Sequence, residues 1–259
     1  MGKLFKIEMK KLRKSTAMLV MLIITAALSL LNVGIYALIK IFAEDLLMLF
    51  GETISGYGMA MSMTADTSDV VLMVLILMAV LIGGDFSART LQTQVAAGYS
   101  RFSIIISRYL TMIISYTILY VLYFSVTVLG ITLLFGFGEH ITSAMVGELL
   151  LNLLYSFLMA FTMLSLYMLF AFLVKSTGAT IGICVPFMLF GTGIINMLSF
   201  VHEVVYDIIS FTPFGQSSLL SGMLSFEEID PLKFIGVCVV WFSIFTSLAY
   251  LSFRKSELK

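Results

Sequence analysis

The feature that most limits what this chain can fold into is a series of six long apolar runs. They cover residues 17–39, 64–83, 104–135, 144–174, 177–200 and 232–253. A helix rising 1.5 Å per residue needs about 20 mostly apolar residues to cross a bilayer, and each run supplies roughly that or more. Inside lipid such a run must be helical, because only a helix satisfies its backbone hydrogen bonds within its own segment. The third and fourth runs exceed one bilayer thickness and so must tilt or protrude. The chain is 60% hydrophobic and only 12% charged, whereas soluble domains hold about 45–50% apolar and about 25% charged residues. The expected fold is therefore an all-α integral membrane protein, one domain over 1–259 with six transmembrane helices. Residues 17–39 are longer than a signal-peptide core of about 7–15 residues, so they read as an uncleaved first span.

Local charge sets the expected orientation. Net charge is zero, which gives no global field for nucleic acid. With six spans, one side collects the N-terminus, the 2–3 and 4–5 connections and the C-terminus. That side holds Lys3, Lys6, Lys10, Lys11, Arg13, Lys14, Arg89, Arg101, Arg108, Lys175, Arg254, Lys255 and Lys259, while the other holds Lys40 and Lys233. By the positive-inside rule both termini are expected to be cytoplasmic. Glu44, Asp45, Glu52, Asp66, Asp69, Glu139, Glu148, Glu203, Asp207, Glu227, Glu228 and Asp230 fall on the opposite side. There, the connection between spans 5 and 6 places Val201, Val204, Val205, Ile208 and Ile209 at helical spacing. Pro213 and Gly215 then break the pattern, and Leu219, Leu220, Met223 and Leu224 resume it. Two short broken helices at the outer interface, or a covering loop on the helix ends, fit this pattern.

The connection between spans 2 and 3 reads "GGDFSARTLQTQVAAGYSRFSIII" from Gly83 to Ile106. Asp85 and Ser87 are suited to cap a helix start. Leu91 and Val95, four apart, form a narrow apolar ridge among Thr90, Gln92, Thr93 and Gln94, and Gly98 is a natural stop. Ser100 or Ser103 caps the next helix. The expected product is a short helix over 87–97 on the cytoplasmic face, shaped either to enter a groove on a partner or to rest on headgroups.

On Asp85, Arg89-Thr90-Leu91, Gln94, Ala97-Gly98 and Ser100-Arg101, the segment resembles the corresponding loop of ABC-2 type permeases, membrane subunits of bacterial ATP-binding-cassette exporters. The start "KIEMKKLRKS" is similar to that family's amphipathic N-terminal helix, expected here over residues 1–16. Six spans, cytoplasmic termini and a broken outer segment before the sixth span also match. Asp85 stands where many members have Glu. The resemblance implies a coupling helix that docks into a separate ATPase subunit. Asp85, Arg89, Thr90, Leu91, Gln92, Gln94, Val95, Gly98 and Arg101 would form the docking site. It further implies a second permease copy, identical or not, and a bacterial plasma (inner) membrane location. ATP and Mg would sit on the partner ATPase, with no cofactor in this chain.

Other chemistry finds little footing. No G-x-x-x-x-G-K-[ST] phosphate loop is present. His202-Glu203-Val204-Val205-Tyr206 lacks the second histidine of an H-E-x-x-H zinc site, and the other histidine, His140, is alone. Cys184 and Cys238 read as small buried hydrophobes. An intramembrane enzyme, or a membrane sensor or scaffold, are the rival classes. No charge sits deep in a span, so a substrate path would have to use Asn152, Thr162, Asn196 and Ser199, residues equally suited to join helices. Gly178 and Gly182 form a G-x-x-x-G that suits a dimer. The eighteen methionines suit an amphipathic or hydrophobic substrate such as a peptide, an antimicrobial or a drug.

Overall fold

The computed structural model describes residues 2–42, 54–138, 142–199, 203–221 and 229–255. Among these the chain is all helical. It opens with α1 (Gly2–Lys14) and α2 (Thr16–Phe42), followed by α3 (Gly56–Ala65), α4 (Ser68–Ser87) and the short α5 (Thr90–Ala96). The long α6 (Arg101–Phe135) and α7 (Ser143–Val174) come next. Then α8 (Thr177–Pro186) runs through a π turn (Phe187–Gly191) into α9 (Thr192–Ser199). Two short helices, α10 (Glu203–Ser210) and α11 (Pro213–Leu220), precede α12 (Pro231–Lys255). Among the described residues six helices are long and apolar enough to cross a membrane: Thr16–Phe42, Ser68–Ser87, Arg101–Phe135, Ser143–Val174, Thr177–Ile195 and Pro231–Lys255. This is the architecture of a multi-pass membrane protein.

The second and fourth spans are the most enclosed, and the first and fifth present most of their surface outward. Apolar side chains such as Leu19, Ile23, Leu30, Leu31 and Leu38 on α2 face away from the bundle. In water that surface would be a liability, whereas in lipid it is the contact with acyl chains. The centre is aromatic. Tyr116 and Tyr120 stack with ring centroids 5.6 Å apart, and Phe157 and Phe161 of α7 meet Tyr116 edge-on at 5.3 and 5.6 Å.

Three boundaries differ from expectation. The second span is expected to begin at residue 64, but Met61 to Ala65 end a separate helix, α3. Asp66 breaks the run: its carboxylate accepts from the Ser68 backbone N–H at 2.9 Å and opens α4 afresh, as a short acidic side chain does at a helix start. α3 is held beside the end of α6, where Gly56 and Tyr57 N–H groups donate to the Gly136 and Phe137 carbonyls, each at 2.9 Å. The fifth span is expected to be continuous to residue 200. Pro186 instead removes one backbone donor and crowds the preceding turn, and the helix widens into the π turn directly after it. In the 5–6 connection Pro213 does not break a helix; it opens α11, with Thr212 as N-cap accepting from Gly215. The resumption at Met223 and Leu224 lies outside the described residues, as do His140 and His202.

Candidate functional site

The amphipathic character of α1 explains its position. Leu4, Glu8 and Leu12 recur every four residues, share one face, and are all buried. A carboxylate in the middle of an apolar stripe requires a cationic partner, because an isolated buried charge costs several kcal/mol. Glu8 finds one in Arg108, two turns into α6; the two side chains are ion-paired and each is about 2% exposed. The other arm of the Arg108 guanidinium pairs with Asp85, itself 2% exposed, in the last turn of α4. Lys11, one turn on from Glu8, closes the cluster onto Asp85 from its partly exposed edge. Two acids and two bases therefore neutralise one another where α1, α4 and α6 converge.

The short α5 is fastened to this cluster. Gln94 donates its amide to Glu8 at 2.9 Å. Leu91 is 1% exposed and packs into the same core, with Val95 partly buried against it. Gly98, at φ +86°, ends the helix with the two backbone bonds of a Schellman turn, Gly98 to Val95 at 3.0 Å and Tyr99 to Gln94 at 3.2 Å. Ser100 then caps α6 by accepting from Ser103.

Beside the ion cluster lies a ring cluster. Phe86, next to Asp85, meets Phe172 of α7 and Phe253 of α12 at 6.3 and 6.5 Å, and those two meet each other at 5.6 Å. Arg101 donates to the carbonyls of Phe253 and Arg254 at 2.6 and 2.7 Å, satisfying groups that the end of α12 leaves open. Lys175 sits over the Phe86 ring at 6.0 Å. The start of α8 closes in so tightly that a Cβ on Gly83 would fall 2.6 Å from the Thr177 backbone nitrogen. The ends of the second, fourth and sixth spans and the starts of the third and fifth therefore meet at one basic end of the bundle, under α5.

Several sequence expectations change here. Asp85 does not cap the short helix. The α4 helix continues through it to Ser87, the chain turns at Arg89 in the left-handed region (φ 55°), and α5 begins only at Thr90. Leu91 and Val95 do not form an outward ridge; they hold α5 to the bundle. The outward face carries Arg89, Thr93, Ala96 and Ala97, spaced by four, three and one, with Thr90 and Gln92 half-buried at its edges. Arg101 is engaged with the end of α12 rather than rimming a docking surface. Arg108, counted by sequence among the basic residues at this end, lies two turns inside the third span helix and is fully enclosed. Glu8 and Arg108 were missed as site residues, although the four-residue spacing of Leu4, Glu8 and Leu12 is a legible signal.

Of the expected path residues, Thr162 and Asn152 lie apart. Thr162 donates to Leu158 at 2.8 Å and lies 3.3 Å from the Cys238 carbonyl, joining α7 to α12. Asn152 lies near Met61 at the opposite end. The side chains of Asn196 and Ser199 lie outside the described residues. At that opposite end Asn32 donates to Tyr123 at 3.3 Å and Tyr123 donates to Asp69 at 2.8 Å. A cavity of about 40 Å³ adjoins the α3–α4 break; Asp66, Thr67, Ser217, Met159, Met163 and Met188 are among its lining. Among the described residues no group of three or more His, Cys, Asp or Glu side chains is placed to hold a metal.

No curated protein matches the chain. A family model described as "Protein of unknown function (DUF2705)" matches residues 49–258, which include α3 to α12 and the whole basic end except α1. The chain belongs to the DUF2705 family.

Proposed function

We propose that this protein is the membrane-spanning permease subunit of an ATP-binding-cassette exporter of the ABC-2 type, driven by separate ATPase subunits. The observation that carries the reading is the fastening of α5. A free helix of two turns would fray. This one is pinned by Leu91 and Gln94 to a buried ion cluster that also grips α1, α4 and α6. A push on its outer face is thereby delivered to two spans and the N-terminal helix at once. The docking surface is Arg89, Thr93, Ala96 and Ala97, and the positive α1 lies beside it. The basic end is cytoplasmic on this reading, and the membrane is a bacterial inner membrane.

The outward path passes the α3–α4 break. The small cavity there, with three methionines, one carboxylate and two serines on its walls, suits an amphipathic substrate: flexible thioethers accept varied apolar groups and the acid attracts a cation. Its size corresponds to a closed state. A second permease copy completes the path, and the fifth span, with Gly178 and Gly182 open to the outside, is the face offered to it.

The test is purification from native membranes followed by mass spectrometry. An ATP-binding-cassette ATPase should be recovered in stoichiometric amount, and Thr93→Trp should remove it while leaving the chain folded and inserted. Recovery of the chain alone, or with a kinase or protease, would favour the sensor or enzyme class instead.

A further inference from the structure

The elbow between α1 and α2 encloses a groove of about 640 Å³ that the proposed coupling does not use. Its mouth carries Lys10 and Arg13 and its wall is apolar, with Met18, Leu19 and Leu22 from α2 and Ile118 from α6. The charges and the wall are separated along the membrane normal. Leu22 lies seven residues beyond Ser15, about 10 Å up the helix, and Ile118 lies ten residues beyond Arg108, about 15 Å, at 1.5 Å per residue. The groove is cationic at one end and purely apolar for the next 10–15 Å.

The two cations are available. Lys11 on the same helix is committed to Asp85, and Glu8, the acid of α1, turns inward to Arg108. Among the described residues no acid pairs with Lys10 or Arg13, and both are exposed. The side on which the groove opens is also settled: Leu19 is 56% exposed and lies on the outward surface of the first span with Ile23 and Leu30, a surface that faces acyl chains.

We infer that this groove is a binding site for one anionic phospholipid. The headgroup phosphate sits between Lys10 and Arg13, and an acyl chain lies along Met18, Leu19, Leu22 and Ile118. A juxtamembrane cation contributes about 1 kcal/mol toward an anionic headgroup, and the volume is within the usual range of ligand pockets. A zwitterionic lipid would bring its own cation against Lys10 and Arg13. The bound lipid holds α1 flat at the interface, the position from which Glu8 and Lys11 reach Arg108 and Asp85.

The experiment is native mass spectrometry and thermal unfolding of the full chain in detergent, titrated separately with phosphatidylglycerol, phosphatidylcholine and soluble glycerol 3-phosphate. Phosphatidylglycerol should be retained as one copy and raise the unfolding temperature, and the other two should not. Lys10→Gln with Arg13→Gln should weaken phosphatidylglycerol roughly thirtyfold. Leu19→Trp, which keeps both charges but fills the groove, should weaken it as well. Equal retention of the two lipids would overturn the assignment. So would unchanged binding in both variants, or glycerol 3-phosphate stabilising as well as the lipid.

Discussion

Arg108 is the residue on which the basic end depends. Its guanidinium is shared between Glu8 and Asp85, and all three are shut away from solvent. Removing one member of a buried ion group strands the others, so Arg108→Ala should cost about 3–5 kcal/mol, read as a lower unfolding temperature in detergent. Glu8→Leu combined with Arg108→Leu should cost clearly less than the two single changes summed. The double variant leaves Asp85 still paired with Lys11, whereas each single variant leaves an unbalanced charge. Strict additivity would mean the pair is not coupled. Leu91 belongs to the same account. Being buried, Leu91→Asp should destabilise the protein by several kcal/mol, whereas Thr93→Trp on the outward face should change stability by no more than about 0.5 kcal/mol. Part of this was readable in advance. Asp85 and Gln94 are singled out by sequence, and the inward position of Glu8 follows from its spacing to Leu4 and Leu12. That Arg108 joins the two acids was not readable, because it depends on α1 folding back beneath the third span.

At the scale of elements, run length and composition locate the six spans well and their ends less well. The ends are decided by single residues acting on the backbone: Asp66 restarts a helix, Pro186 widens one, Pro213 begins one. Hydrophobicity averaged over 20 residues is blind to such effects. The short helix shows the same limit. Gly98 announces its end, since only a turn with positive φ closes it there. Its start was misplaced because a capping acid and a buried acid look alike in sequence. Which way Leu91 and Val95 face is likewise a tertiary matter, as an apolar pair fits an outside groove or the chain's own core equally well. The tight crossing of α4 and α8 gives a prediction at this scale. Gly83→Ala places a methyl 2.6 Å and 2.8 Å from the Thr177 backbone nitrogen and Cα. Backbone cannot step aside as a flexible side chain can, so a loss of roughly 1–3 kcal/mol is expected, measured by thermal unfolding. An unchanged stability would mean that the fifth span is not packed against the second at that point.

For the whole molecule, two differently built ends are joined by apolar helices. At the basic end α1, α5 and the second, third, fourth and sixth spans are bound through ion pairs, a ring cluster and a capping arginine, and the fifth packs against the second at Gly83. At the other end α11 lies beside the break between α3 and α4, with Asp66 on the wall of the small cavity there. That polarity is what a machine needs if it takes up force on one side and opens on the other, and it is why a coupled permease is proposed over a scaffold or an enzyme. The lipid groove adds a condition: anionic lipid should support whatever activity depends on the seating of α1.

The most direct test of the central claim is site-specific photocrosslinking in native membranes, with the probe placed at Thr93 or Ala97 and, as a control, at exposed Leu133 near the opposite end of the bundle. The account predicts that the first two positions crosslink to an ATP-binding-cassette ATPase and that the control does not. Crosslinks from Thr93 and Ala97 to lipid alone, with no ATPase at either position, would contradict it.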